Sequence, residues 1–230
     1  MASSKTNNRS LYIDTEALSS LALVQAGLIS PVDKLMNAKE AREVDETQEY
    51  KGIPFPFSFV LAPKGRKNDI VLQDTKKGEV LDLINEGKKV GELIVEETFP
   101  IDPNSRLVKI YGTTDPHHPG VKHTKARLGE IAVSGEYTVT YPLIEDTLKR
   151  IESMITKTGA KRVSSMMIAA NPLNRAHERM IRQTISENDL LIIFLRKPFN
   201  NEGLRYDIRY NALSTYVENF LPRNRVYPSV

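Results

Sequence analysis

The chain has 230 residues, of which 40% are hydrophobic and 27% are charged, so its composition is that of a globular protein with a buried core. It contains no cysteine, which excludes disulfides, thiolate metal sites and thiol nucleophiles. The 32 basic and 29 acidic residues are interspersed, a near balance that argues against a dedicated nucleic-acid-binding protein. No segment reaches the roughly 20 apolar residues of a membrane span, and the first residues lack the apolar run of a signal peptide, so we expect a cytoplasmic protein with no membrane partner.

The first 40 residues have the pattern of two helices. Asp14 or Thr15 caps the first helix, and Ser30 and Pro31 open the second. Between residues 53 and 140 the pattern changes to short β-like segments that Pro, Gly and Asp separate: PFSFVLAP, DIVLQD, VGELIVEETF, RLVKIYGT and YTVTYP. These segments predict a small barrel or sandwich.

After Tyr141 the sequence alternates between helical and strand-like segments. An amphipathic helix, LIEDTLKRIESMITKTG, precedes strand RVSSMMIA, helix LNRAHERMIRQTIS, strand DLLIIFL and helix YDIRYNALSTYVENF. This alternation predicts a parallel α/β sheet. We therefore place two domains, an α+β N-terminal domain at 1–142 and an α/β domain at 143–230.

The stretch IAANPLNRAHERMI, at 168–181, is the strongest candidate for a binding site. It leaves the carboxyl end of a predicted parallel strand, where open α/β sheets bind their ligands. We expect Asn171 to cap the following helix and Pro172 to occupy its first position, which leaves the N–H groups of the first turn directed at an anion. Asn174 and His177 are three residues apart, so they lie on one face and reach the same group.

Each candidate also has a structural interpretation. His177 lies four residues before Ile181, in the stripe that packs on the sheet, so a half-buried structural histidine is the alternative to a phosphate ligand. Arg175 and Arg179 are by default a solvated helix face. The histidines of the TTDPHHPGVKH segment, at 113–123, lack the ligand set of a zinc site, so we predict a structural turn or an interdomain contact there and no metal site.

The 168–181 stretch resembles the signature of bacterial and archaeal ATP sulfurylases (sulfate adenylyltransferases), Gln-x-Arg-Asn-Pro-x-His-x-x-His. Further likenesses are AGLISPVDKLM at 26–36, TTDPHHPGV at 113–121 and LPRNRV at 221–226, and in this order they span nearly the whole chain. The resemblance implies a PUA-like β-barrel domain at 1–142. It also implies the N-terminal part of a Rossmann-like nucleotidyltransferase domain at 143–230, without the family's C-terminal half.

The resemblance assigns roles to the stretch, and this chain departs from the signature at three of them. Family members hold sulfate with the Gln and Arg of the signature, and these positions are Ile168 and Ala170 here. They bind the ATP phosphates with two histidines, of which the first is Asn174 here and the second is His177. The resemblance implies His177 and Asn174 as catalytic residues, in a nucleotide and anion site made of Asn171, Pro172, Leu173, Asn174, Arg175 and His177.

The activity that the resemblance implies is transfer of AMP from ATP to sulfate or a related oxyanion. Pyrophosphate is the leaving group, Mg²⁺ accompanies ATP, and no prosthetic group is needed. Loss of the sulfate-binding arginine removes a charge-assisted pair of about 1.5–3 kcal/mol. A catalytically degenerate nucleotide-binding or regulatory paralogue is therefore the alternative function.

An RNA-contacting PUA-like protein is the least favoured function. The basic turns at 64–67 and 76–77 have no interleaved aromatic residues on which bases stack. The partners implied are thus small molecules, ATP and an oxyanion. A homodimer is expected only by analogy with the family.

Overall fold

A computed structural model describes residues 8–196 and 203–229. The chain divides into two compact units, Met1–Ile144 and Glu145–Val230. The N-terminal unit contains the strands β1 (Arg9–Tyr12), β2 (Glu49–Tyr50), β3 (Ile53–Pro54), β4 (Leu61–Pro63), β5 (Val80–Asn85), β6 (Lys88–Pro100) and β7 (Leu128–Val139).

Five of these strands form one sheet in the order β1-β5-β6-β7-β4, with β1 and β4 at its edges. The strands β1 and β5 are parallel, and the other neighbours are antiparallel. The strands β2 and β3 form a separate antiparallel pair. Alternate residues of the central strands are buried, for example Leu81 and Leu83 on β5 and Leu93 and Val95 on β6. These residues belong to one buried cluster of this unit, and a second cluster contains Ala62, Phe99 and Ala132 from strands of the same sheet.

The helices of this unit are α1 (Thr15–Gln25), α2 (Ala38–Thr47), α3 (Arg66–Asp74), α4 (Pro103–Tyr111) and α5 (Pro119–Arg127). Asp14 caps α1 by accepting from the Ala17 N–H at 2.8 Å, one of the two predicted caps. The predicted start of the second helix is wrong, because Ser30 and Pro31 lie in a turn. The helix begins instead after Asn37, whose side chain forms a capping box with Glu40.

Two predicted strands of the N-terminal domain are helices. The segment RLVKIYGT lies in α4, which has Asp102 as its N-cap, Pro103 in its first turn and Gly112 in the left-handed conformation at its end. The segment DIVLQD lies in α3. There the buried Asn68 side chain accepts from the Tyr12 N–H and donates to the Tyr12 carbonyl, each at 2.9 Å. The N–H and carbonyl groups of Tyr12, in the edge strand β1, are thus hydrogen-bonded to a helix side chain. No local pattern predicts this contact.

A long helix, α6 (Pro142–Thr158), leads into the second unit. That unit contains the strands β8 (Val163–Ile168), β9 (Leu190–Leu195) and β10 (Val226–Ser229) and the helices α7 (Arg175–Glu187) and α8 (Tyr206–Phe220). The strands form a parallel sheet in the order β10-β9-β8. The predicted parallel α/β sheet is confirmed.

The central strand β9 is almost entirely buried, and it packs against apolar residues of both helices: Ile181 and Ile185 from α7, and Leu213 and Val217 from α8. Since the strands are parallel, their carboxyl ends lie at one edge of the sheet, and the loop 169–174 leaves β8 at that edge. No helix within the described ranges is long and apolar enough to cross a membrane.

Candidate nucleotide and anion site

The helix α7 is capped by Asn174 and not by Asn171. The Asn174 side-chain oxygen accepts from the N–H groups of Ala176 at 3.0 Å and His177 at 3.3 Å. The prediction that Asn171 caps this helix and that Pro172 opens it is therefore wrong. Of the two asparagines in the stretch, only Asn174 directly precedes the first helical residue, Arg175.

His177 completes the capping box. Its Nδ1 atom accepts from the Asn174 N–H at 3.3 Å. A ring nitrogen that accepts a hydrogen bond carries no proton, so this contact assigns the proton of the neutral imidazole to Nε2. His177 is half-buried. Its Nε2–H is the group that can donate to a phosphate oxygen.

The cap changes what the start of α7 offers an anion. Asn174 already satisfies the N–H groups of Ala176 and His177, which the prediction had directed at a ligand. Among the residues described, the Arg175 N–H is the first-turn donor that this cap does not use. The helix dipole still favours an anion here, because it places about half a positive charge at the N-terminus.

The two substituted sulfate positions lie inside the apolar core. Ile168 is 4% exposed and Ala170 is 2% exposed, and both belong to the cluster formed with β9, α7 and α8. Leu173 packs against the same cluster, while Pro172 is exposed in the bend before the helix. The side chains at 168, 170 and 173 thus contribute packing, and they present no polar group to a ligand.

Asn171 ties the loop to the start of α8. Its side-chain oxygen accepts from the Leu204 N–H at 2.9 Å. The neighbouring Gly203 has a φ of +80°, and a Cβ atom there would overlap the side-chain amide of Asn171. The backbone conformation therefore favours glycine at 203, and a larger residue there would also displace the Asn171 side chain.

Sequence reasoning missed Arg209, which is 5% exposed and lies within the α/β core. Its Nε donates to the Ala170 carbonyl at 2.6 Å, and an Nη atom donates to the Arg196 carbonyl at 3.0 Å. A signal was present in the sequence, because Arg209 occupies the apolar stripe of α8 with Leu213 and Val217 at helical spacing. An arginine at such a position needs buried acceptors.

The exposed face of α7 is basic. Arg175 and Arg179 are exposed, as expected for a solvated face, and Arg182 pairs with Glu178 at 3.3 Å. An open depression of about 700 Å³ lies over these residues and Gln183. The depression carries more positive than negative charge beside the helix terminus.

The histidine-rich segment has structural contacts in the N-terminal unit. His118 caps α5 by accepting from the Val121 N–H at 3.3 Å. The Nε2 atom of His123 lies 2.7 Å from the Glu16 carboxylate, and Glu16 also pairs with Arg127. Within the described part of the chain, no group of three or more His, Cys, Asp or Glu side chains is placed to hold a metal ion.

Two family models match the chain in succession. The PUA-like domain model matches residues 1–141, and the ATP-sulfurylase model matches residues 144–230. The two predicted parts of the fold, a PUA-like domain and a nucleotidyltransferase-type α/β domain, are confirmed.

Curated relatives named sulfate adenylyltransferase cover both units. The protein from Psychrobacter cryohalolentis is 26% identical, in an alignment that covers 90% of this chain and 52% of that protein. The protein from Synechococcus sp. is 24% identical over 94% of this chain and 56% of its own length. For Chloroflexus aurantiacus the identity is 25%, over 94% of this chain and 57% of the relative. The chain thus spans about half the length of the curated relatives it matches.

A solved structure, "Hexameric APS kinase from Thiobacillus denitrificans", resembles the chain with a TM-score of 0.64 at 16% identity. The match covers 98% of this chain and 41% of that one. It is a likeness of fold.

Proposed function

Because the chain belongs to the ATP sulfurylase family, we propose that it is a sulfate adenylyltransferase-like protein of the cytoplasm, which transfers AMP from ATP to sulfate or a related oxyanion. The observation that carries the proposal is His177 at the start of α7, beside the carboxyl edge of a parallel sheet, in the unit that the ATP-sulfurylase model matches. Ligands of open α/β sheets bind at this edge.

In the proposed reaction an oxygen of the acceptor oxyanion attacks the α-phosphorus of ATP. The bond between that phosphorus and the bridging oxygen breaks, and pyrophosphate leaves with its electron pair. The Nε2–H of His177 and the N–H of Arg175 donate to phosphate oxygens, and the Asn174 side-chain NH₂ supplies a third donor. Such a site acts by positioning the substrates and by stabilising charge, without a covalent protein intermediate.

We propose that Mg²⁺ arrives as part of the MgATP substrate. Mg²⁺ in nucleotide sites is usually held by the phosphates and by one or two carboxylates, so a site of this kind needs no cage of protein ligands. When bound, the ion neutralises charge on the phosphates.

The structure constrains the identity of the acceptor oxyanion less than it constrains the position of the nucleotide. The burial of Ile168 and Ala170 leaves the family's sulfate positions without hydrogen-bond donors. The acceptor must then be held by backbone N–H groups and by side chains other than those at 168 and 170. A site with few directional donors discriminates weakly between tetrahedral oxyanions.

A second candidate function is nucleotide binding without turnover. Asn174 and Ala170 favour it, because the first is engaged in the cap of α7 and the second is packed in the core. In that case the chain binds ATP and releases no pyrophosphate.

Calorimetric titration with MgATP and with a non-hydrolysable analogue tests binding, and a pyrophosphate-release assay with sulfate, selenate, molybdate and phosphate tests turnover. Release with any of these acceptors supports adenylyl transfer. Binding without release supports the second candidate. Absence of ATP binding would refute both.

His177→Gln is the variant that addresses the site, and His118→Gln is its matched control. Both histidines accept a helix N-terminal N–H through Nδ1, but His118 lies in the PUA-like unit. We expect His177→Gln to weaken MgATP binding about tenfold, the loss of one charge-assisted hydrogen bond. The His118 variant should bind MgATP as the unmodified protein does. Equal effects of the two substitutions would mean that only helix capping was lost.

A further inference from the structure

The core of the α/β unit contains a buried cation. Arg209 is 5% exposed and is surrounded along α8 by apolar neighbours, including the fully buried Leu213. Arginine is rarely buried so deeply unless its charge is paired. Within residues 8–196 and 203–229, its hydrogen bonds go to two neutral carbonyl groups, and none of the ion pairs found there includes it.

The two carbonyl groups lie at one place in the sheet. Ala170 follows the end of β8, and Arg196 follows the end of β9. Arg209 donates to both, at 2.6 Å and 3.0 Å, so its guanidinium bridges the carboxyl ends of two neighbouring parallel strands. This is the edge at which the loop 169–174 leaves the sheet.

A second hydrogen bond attaches the same loop, 169–174, to the segment before α8. Asn171 accepts from the Leu204 N–H at 2.9 Å, two residues before α8 begins at Tyr206. The backbone of residue 170 and the side chain of residue 171 are thus both attached to the N-terminal end of α8. The loop that leads to Asn174 and His177 is fixed from α8.

The electrostatic effect of Arg209 follows from its acceptors. Carbonyl oxygens at the ends of strands carry partial negative charge and repel a phosphate group. A guanidinium that binds two of them offsets this repulsion and adds a full positive charge, whose field is weakly screened inside the protein. Since Ile168 and Ala170 are apolar and Asn174 is neutral, the signature positions supply no such charge.

We propose that Arg209 is a positioning residue for the nucleotide site. It fixes the loop that carries His177, and it offsets the negative carbonyl edge that a polyphosphate approaches. The inference rests on the proposed function, because it assumes that a nucleotide binds at this edge.

Arg225 provides a matched control within the same unit. It also donates to backbone carbonyls, those of Ile185, Asn188 and Asp189. These groups lie at the C-terminal end of α7 and before β9, at the opposite edge of the sheet. Arg225→Met therefore removes a comparable set of hydrogen bonds without touching the proposed site.

The experiment compares Arg209→Met, Arg209→Lys and Arg225→Met in the full chain, by thermal unfolding and by calorimetric titration with MgATP and with pyrophosphate at low and high salt. We expect Arg209→Met to raise the Kd for both ligands about tenfold or more, and Arg209→Lys to restore part of that loss because it keeps the charge. Because the field of the buried guanidinium is weakly screened, the Arg209→Met loss should persist at high salt. Arg225→Met should lower the unfolding temperature and leave both Kd values unchanged.

An Arg209→Met protein that binds both ligands like the unmodified chain would overturn the inference, and so would an equal loss in Arg225→Met. If Arg209→Met does not fold, the Nε–H resonance of Arg209 in the unmodified protein, identified by its absence in Arg209→Lys, is followed during MgATP titration. A shift that saturates supports the inference, and an unmoved resonance refutes it. If the unmodified chain binds neither ligand, the proposed function itself fails.

Discussion

Replacing Asn174 by aspartate separates its capping role from its role in anion binding. The Asn174 side-chain oxygen accepts two N–H groups at the start of α7, and a carboxylate retains both contacts. The carboxylate also adds negative charge at the positive end of the helix dipole. A bound polyphosphate, however, meets that charge as a repulsion.

The effect on the stability of the fold and the effect on the MgATP affinity have opposite signs, and both are large enough to measure. An exposed anion at a helix N-terminus stabilises the fold by about 0.3–1 kcal/mol. A carboxylate and a phosphate charge about 6 Å apart, at an effective dielectric constant of about 40, repel by about 1.4 kcal/mol, which is about tenfold in affinity. We therefore expect Asn174→Asp to unfold at a slightly higher urea concentration and to bind MgATP about ten times more weakly.

Urea unfolding followed by circular dichroism measures the first effect, and calorimetric titration with MgATP measures the second. Asn37→Asp is the matched control, because Asn37 is the capping-box residue of α2 in the PUA-like unit. It should leave the MgATP affinity unchanged. Unchanged MgATP affinity in Asn174→Asp would refute the reasoning, since no phosphate would then lie near the start of α7.

Three further predictions concern stability. Gly203→Ala should destabilise the α/β unit by more than about 1 kcal/mol in urea unfolding, because the added Cβ overlaps Asn171 in a left-handed backbone. Ala170→Arg should destabilise it by about 1–3 kcal/mol or more and restore no sulfate-dependent pyrophosphate release, because residue 170 is buried. In the PUA-like unit, burial opposes the charged form of Asp14, but the hydrogen bonds and charge of Arg127, together with the backbone N–H groups of Ala17 and Glu16, outweigh it and lower the pKa of Asp14. The stability of this pair is present above about pH 4 and is lost as the pH falls through the lowered pKa, so Arg127→Met should flatten the acid branch of stability measured against pH.

Each of these expectations has a control. Adding Asn171→Ser to Gly203→Ala should recover part of the lost stability, and strictly additive losses would contradict the overlap. Ala170→Val tests whether volume alone is the cause at that position. For the acid branch, Arg66→Met removes an exposed arginine of the same unit, and an equal flattening there would show that net charge, and not the Asp14 pair, is responsible.

The sequence alone predicts the secondary structure correctly where the hydrophobic periodicity agrees with the start and stop signals of the element. The helix α8 and the strands β8 and β9 have apolar spacings that match their observed form, and the predicted alternation of the α/β unit follows from them. Taken alone from Arg106, the segment RLVKIYGT favours a strand because of its β-branched residues. The preceding Asp102 and Pro103 and the following Gly112 are helix start and stop signals, and they outweigh the β-branched residues between them.

The arrangement of the candidate site depends on tertiary contacts, so the sequence alone does not predict it. Asn171 and Asn174 are equally good caps by residue type, and the choice between them depends on where the chain leaves β8 and on the partner of Asn171 at Leu204. The position of Arg209 in an apolar stripe is visible in the sequence, but its acceptors are carbonyls 39 and 13 residues away. Contacts of this kind follow from the packing of α8 on the sheet, which no local pattern specifies.

The capping box of α7, which Asn174 and His177 form, also determines how a ligand gains affinity there. A helix whose first amides are already satisfied is ordered before binding, so a ligand loses no free energy in organising it. The donors left for an oxyanion, the Arg175 N–H and the His177 Nε2–H, each offer a hydrogen bond to a charged acceptor, worth about 1.5–3 kcal/mol. A ligand at this end of α7 would therefore gain its affinity from those two donors and not from the capped amides.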